Sequence, residues 1–121
     1  MEAQVKGLLR RFEQTGRCRF NTLKGFFLQE VSDILYVKAN GNYSDLFLKD
    51  GRVKLITHTL AVAEEILKPY GFQRVGRSLM INLNYLDQVD RQSSECILVT
   101  DDHVVNLSLT HKHIKDLSGM F

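Results

Sequence analysis

The sequence has no tryptophan, one proline and only two cysteines among its 121 residues. Cys18 and Cys96 share no metal or redox spacing, so we expect reduced thiols in a cytoplasmic protein rather than a disulfide scaffold. No apolar run approaches the roughly 20 residues of a membrane-spanning helix, and the N-terminus lacks a signal-peptide core. These absences predict a cytoplasmic globular protein without a membrane partner.

Catalytic motifs are also absent. There is no GxxxxGK[ST] or GxGxxG phosphate loop, and no serine has a nucleophile-elbow context. A pair of Cys96 with a histidine is conceivable, but no spacing favours it. His111 and His113 diverge by roughly 200° on a helix, and no cysteine or carboxylate nearby has zinc-like spacing. We therefore predict no enzyme activity, no cofactor and no metal site.

The composition is that of one globular domain, with 44% hydrophobic and 25% charged residues. The net charge of +2 says little by itself, but basic residues concentrate within residues 1–25 and 111–115. Local basic patches indicate a polyanionic partner. Solubilising surface charge explains them equally well, so charge alone leaves both interpretations open.

Short apolar runs separated by glycine turns predict a β-rich fold. Residues 5–16 have helical spacing and predict a short helix or a linker, so we divide the chain into residues 1–16 and a domain over 17–121. Asn-Gly at residues 40–41 and Asp-Gly at residues 50–51 predict hairpin turns, because these dipeptides tolerate positive φ. About ten short antiparallel strands are expected, with helices over Thr59–Lys68 and His111–Met120.

Polar side chains that strand formation does not explain collect in three places: Asn42–Asp45, Arg74–Ser78 and Asn106–Lys112. Each place has a structural alternative, such as a turn, a backbone hydrogen bond or a helix cap. Together they supply the amide, hydroxyl, guanidinium and imidazole groups that position phosphates and read base edges in DNA. A helix-turn-helix is not predicted, because the interior helix lies between strands and carries adjacent glutamates.

Five segments in order resemble the LytTR-type DNA-binding domain of bacterial response regulators: DILYVKANGNYSDLFL (33–48), the Asp50-Gly51 turn, TLAVAEEIL (59–67), FQRVGRSLMINLNYLDQV (72–89) and VNLSLTHKHIKDL (105–117). The resemblance implies a mainly β fold, an elongated stack of small antiparallel sheets with short helices. It also implies a transcriptional regulator that inserts loops, rather than a recognition helix, into successive major grooves.

The resemblance implies partners as well. These are double-stranded DNA carrying paired direct repeats, and a receiver domain that controls the regulator by phosphorylation. A homodimer on the DNA is an open alternative, and so is the choice between an excised output domain and a stand-alone regulator. The other candidate function is a β-rich module for protein interaction or sensing that does not bind DNA.

The family's DNA contacts, carried over by position, fall on eight residues. Ser44 corresponds to the polar reader after the hairpin turn, Arg77 to the second contact position, and Thr110 with His111 to the third. The resemblance and the neighbouring side chains together predict this set: Asn42, Ser44, Asp45, Arg77, Ser78, Thr110, His111 and Lys112.

Overall fold

The computed structural model describes residues 16–121. The helix or linker predicted over residues 5–16 therefore lies, apart from Gly16, outside the described residues. Within 16–121 the chain forms ten strands in three antiparallel sheets and two α-helices, which confirms the predicted mainly β class. The strands are β1 (Arg17–Asn21), β2 (Phe26–Glu30), β3 (Ile34–Asn40), β4 (Tyr43–Leu48), β5 (Val53–Ile56), β6 (Phe72–Arg74), β7 (Leu79–Asn82), β8 (Leu86–Asp90), β9 (Glu95–Val99) and β10 (Val104–Ser108). The helices are α1 (Leu60–Leu67) and α2 (His111–Met120), and short 3-10 turns cover Val31–Asp33, Lys68–Tyr70 and Leu83–Tyr85.

A five-stranded sheet lies at the centre, with the strand order β5-β4-β3-β7-β6. Its β3–β4 hairpin has the predicted Asn-Gly turn, in which Gly41 adopts a φ of 61° that most residues avoid. The β4–β5 turn lies at the opposite end of the same sheet, and Gly51 has a φ of 93° there. Strand β7 pairs with β3 although more than 30 residues separate them along the chain, so this pairing joins two parts of the sequence.

Strand β7 is buried on both faces and separates two hydrophobic cores. Met80 faces the first core, which α1 and the β1–β2 sheet complete. Leu79 and Ile81 face the second core, which includes residues of the β8–β9–β10 sheet and of α2. The unbroken apolar run Leu79–Ile81 is explained by this position, since a strand covered on both faces needs no polar alternation.

Helix α2 begins at the predicted His111, and α1 begins at Leu60, one residue after the predicted start at Thr59. Thr59 and Thr110 are the N-caps of α1 and α2, and each hydroxyl accepts a hydrogen bond from a backbone N–H in the first turn. Helix α2 buries Ile114 and Leu117 in the second core. The N-terminus of α2 is thereby held at the end of β10, where the third polar cluster lies.

Asn82 is fully buried and joins the end of β7 to the start of β3. Its side-chain amide donates to the Ile34 carbonyl at 2.8 Å, and its Oδ1 accepts from the Asn84 backbone N–H at 3.0 Å. A buried amide is stable only when its polar atoms have partners. The bond to Ile34 fixes the register of β3 against β7 at the end of the sheet away from the polar loops.

Candidate nucleic-acid interface

Two of the three polar clusters meet at one end of the central sheet. The tip of the β3–β4 hairpin and the β6–β7 loop lie side by side, because the Ala39 backbone N–H donates to the Ser78 carbonyl at 2.9 Å. Lys38 is paired with Leu79 in the strand register immediately below. Asn42 and Arg77, which lie more than 30 residues apart in sequence, are therefore exposed at the same end of the domain.

Arg74 holds the β6–β7 loop in shape from inside. Its Nε donates to the Gly76 carbonyl at 3.2 Å and its Nη2 to the Arg77 carbonyl at 2.8 Å, while Nη1 lies 3.4 Å from Glu64 Oε1 on α1. The Arg74 side chain is only 25% exposed, whereas Arg77 is exposed. One arginine thus fixes the backbone of the loop that presents the other.

Ser44 is not on the surface. It is completely buried, and its hydroxyl donates to the His58 carbonyl at 2.8 Å, which ties β4 to the connection between β5 and α1. A residue that reads bases must be exposed, and Ser44 is buried. Asp45 is half-buried and accepts from the Asn40 side-chain amide at 3.3 Å, so part of its hydrogen-bonding capacity is used within the hairpin.

The third cluster lies at the junction of β10 and α2. Thr110, His111 and Lys112 are all exposed, and the Thr110 hydroxyl also contacts Nδ1 of His113. Leu109, just before them, is buried in the same core as Leu79. This core supports both the third cluster and the β6–β7 loop, while a backbone hydrogen bond joins the first two clusters.

Sequence reasoning included Arg74 in a polar cluster but not among the contact residues, and it gave no role to His58. The His58 Nε2 accepts from the Asn21 backbone N–H at 3.0 Å, and its carbonyl accepts from Ser44. His58 therefore joins the β1–β2 sheet to the end of the central sheet that carries the polar loops. No sequence motif indicates this role, because its partners lie 14 and 37 residues away.

Within 16–121 no three His, Cys, Asp or Glu side chains are grouped as metal ligands. Both cysteines are buried free thiols, and burial raises the pKa of Cys96 to about 11, which keeps it protonated at neutral pH. In the same part of the chain, no helix is long and apolar enough to cross a membrane.

Comparison with known families identifies the fold. The family model of the LytTr DNA-binding domain matches residues 24–121, which is most of the chain. This chain belongs to the LytTR family. LytTR domains are DNA-binding domains that act in transcription regulation, and the family is not enzymatic. The resemblance inferred from the five sequence segments is thus confirmed.

A solved structure shares the architecture of this LytTR domain. It is described as the LytTr DNA-binding domain of a response regulator from Bacillus cereus, and it superimposes with a TM-score of 0.59 at 18% sequence identity. The match covers 88% of this chain and 94% of that one, which shows a common fold. A comparison with curated proteins finds no match.

Proposed function

We propose that this LytTR domain is the sequence-specific DNA-binding output domain of a bacterial two-component transcriptional regulator, and that its loops enter successive major grooves. The observation that carries the proposal is the pairing of two exposed loops at one end of the central sheet. Asn42 and Arg77 extend from these loops, and the Ala39–Ser78 hydrogen bond sets the loops against each other. Hydrogen bonds that hold the loops in place reduce the conformational entropy that is lost on binding.

The exposed side chains divide into base readers and phosphate contacts. Arg77 has the guanidinium that binds guanine O6 and N7 in a bidentate pair, and the Asn42 amide suits adenine. Ser78, Thr110 and Lys112 have the hydroxyl and ammonium groups that contact phosphates. His111 and Asp45 complete the proposed set, with Asp45 as an acceptor for a cytosine amino group.

Ser44 is left out of direct contact in this proposal. Its hydroxyl is committed to the His58 carbonyl, and the residue has no exposed surface. We assign it instead to the support of the hairpin that presents Asn42.

The proposed partners follow from the same function. We propose that the DNA carries paired direct repeats, that two copies occupy them as a homodimer on the DNA, and that a receiver domain controls binding. Two copies in the same orientation on direct repeats would each place the same three loops on their own half-site.

A binding-site selection followed by fluorescence anisotropy tests the proposal. We expect the domain to select duplexes with direct repeats and to release them near 0.5 M salt, because phosphate contacts weaken steeply with salt. Arg77→Ala should lower the affinity for the selected duplex by about 5- to 150-fold, which corresponds to the roughly 1–3 kcal/mol of a bidentate base contact. Arg52→Ala removes the same charge at the opposite end of the sheet and is the matched control. An unchanged affinity for Arg77→Ala would refute the role of Arg77.

A further inference from the structure

A groove lies between the β8–β9 turn and α2. It has a volume of about 410 Å³ and is lined by Arg91, His111, Ile114, Lys115 and Ser118. The four lining residues of α2 recur at helical spacing, so one face of the helix forms one wall and buried Ile114 forms part of the floor. Arg91 on the turn forms the other wall.

Arg91 is anchored but keeps hydrogen-bonding capacity. Its Nη2 donates to the Ser118 hydroxyl at 3.4 Å, and that hydroxyl donates to the Ile114 carbonyl at 2.8 Å. A guanidinium has five N–H donors, and this contact uses one of them. Arg91 can therefore hold its position over α2 and bind an anion in the groove at the same time.

The groove is basic, as its lining side chains show. Among the residues that the structure describes, its lining includes Arg91, Lys115 and His111 and no acidic residue. Within residues 16–121 no carboxylate forms an ion pair with Arg91 or Lys115. Asp90 lines the neighbouring cavity, where its carboxylate accepts from the backbone N–H groups of Gln92 and Ser93.

The groove continues directly from the third polar cluster. His111 belongs to both, and it is the first residue of α2 after the N-cap Thr110. The Leu109 backbone N–H donates to the Ser94 carbonyl at 2.8 Å, which holds the β8–β9 turn against the strand-to-helix junction. An extended polyanion that contacts Thr110 and Lys112 would therefore reach the groove without a change in the backbone.

We propose that this groove binds a backbone phosphate of the DNA next to the third loop, and that Arg91 and Lys115 are its ligands. The inference rests on the proposed function. Arg91 supplies a planar fork that matches phosphate oxygens, and Lys115 supplies a compact positive charge. Such a contact adds affinity without sequence preference, because every nucleotide carries the same phosphate.

Salt dependence of binding is the first test, with the selected duplex and an unrelated duplex of equal length. Arg91→Ala and Lys115→Ala should each reduce the slope of log K against log salt concentration by about 0.9, the effect of one lost phosphate contact. Each variant should lower the affinity for the two duplexes by similar factors. The control Arg52→Ala should leave the slope unchanged, since Arg52 lies at the opposite end of the central sheet.

A neutral phosphate locates the contact. Each duplex in a series carries one uncharged methylphosphonate at a different position. At one position the substitution should weaken binding by the wild type but not by the Arg91→Ala/Lys115→Ala double variant. Arg91→Lys keeps the charge and should retain most of the salt slope, which separates charge from any support that Arg91 gives to α2. Circular dichroism would verify that each variant is folded.

The outcomes distinguish the groove from the underlying function. If the wild type binds the duplex and Arg77→Ala weakens it, but the groove variants retain the full salt slope, the groove does not contact phosphate. If the wild type binds no duplex at all, the proposed function fails, and this inference fails with it. A lysine variant that loses the same slope as the alanine variant would also overturn the charge assignment of Arg91.

Discussion

Arg74→Lys tests whether Arg74, which supports the β6–β7 loop, controls the proposed DNA recognition by Arg77. In the structure the Arg74 guanidinium donates to the Gly76 and Arg77 carbonyls and pairs with Glu64. Lysine keeps the positive charge but has a single ammonium at the end of its chain, which cannot span the two carbonyls and the carboxylate in the same planar geometry. The substitution should loosen the loop while preserving the charge of the surface.

The magnitude follows from the bonds that are lost. Hydrogen bonds to charged groups contribute about 1.5–3 kcal/mol each, and a lysine retains part of one or two of the three contacts. Because Arg74 and Glu64 are 25% and 29% exposed, solvent screening reduces the loss. We expect a net cost of about 1–2 kcal/mol in ordering the loop, which corresponds to about 5- to 30-fold weaker binding of the selected duplex.

A double-mutant cycle with Arg77→Ala measures this coupling. Arg74→Lys should weaken the selected duplex in the wild-type background and have little further effect when Arg77 is already absent. The salt slope should not change, because the number of charges is the same. Arg52→Lys at the opposite end of the sheet is the matched control. An equal loss of affinity in both backgrounds would refute the reasoning, since Arg74 would then act independently of Arg77.

Three further predictions concern stability. Ser44→Ala should lower the free energy of unfolding by about 0.5–1.5 kcal/mol, because the part-buried His58 carbonyl loses the Ser44 hydroxyl as its donor. Urea denaturation measures this free energy. Weaker DNA binding with unchanged stability would contradict the supporting role and indicate that Ser44 contacts DNA directly. Thr110→Ala should cost about 1 kcal/mol through the lost N-cap of α2, and Thr110→Ser should retain most of it in the same assay. The Cys96 thiol, whose pKa burial raises from 9.0 to about 11, should contribute stability that is fully present below about pH 9 and is lost as the pH rises towards about 11.

The rise in the pKa of Cys96 from 9.0 to about 11 corresponds to a loss of about 3 kcal/mol in the free energy of unfolding at alkaline pH. Cys96→Ala lacks the titrating group, so its stability should fall less than that of the wild type between pH 9 and pH 11 in urea titrations. Cys18 is present in both proteins and its contribution cancels. Parallel pH profiles for the two proteins would show that the buried thiol does not govern alkaline unfolding.

Local structure was predictable wherever neighbouring residues determine it. The Asn-Gly turn before Asn42 requires positive φ, and Thr110 caps a helix whose apolar residues have the right spacing. These effects act within a few residues, so they are visible in the sequence. The order of the segments was also sufficient to identify the LytTR family.

The roles of individual polar residues were less predictable, because exposure is a property of the packed fold. Ser44 and Arg77 both belong to polar segments of the sequence, yet Ser44 is buried and Arg77 is exposed. Side chains of β4 alternate between its two faces, and Ser44 shares the buried face with Leu46. Which face is buried depends on the elements that pack against the sheet. No pattern in the sequence reveals those elements.

The sequence by itself determined the turns, the approximate positions of the two helices, the mainly β class and the family, because each depends on short-range chemistry or on the order of motifs. Only the tertiary structure decided that β7 pairs with β3 and so brings the Asn42 hairpin beside the Arg77 loop. It also decided that Arg74 supports this loop and that Arg91 faces α2 across a basic groove. These arrangements depend on contacts between segments that are far apart in the sequence. Such contacts form only when both cores have formed.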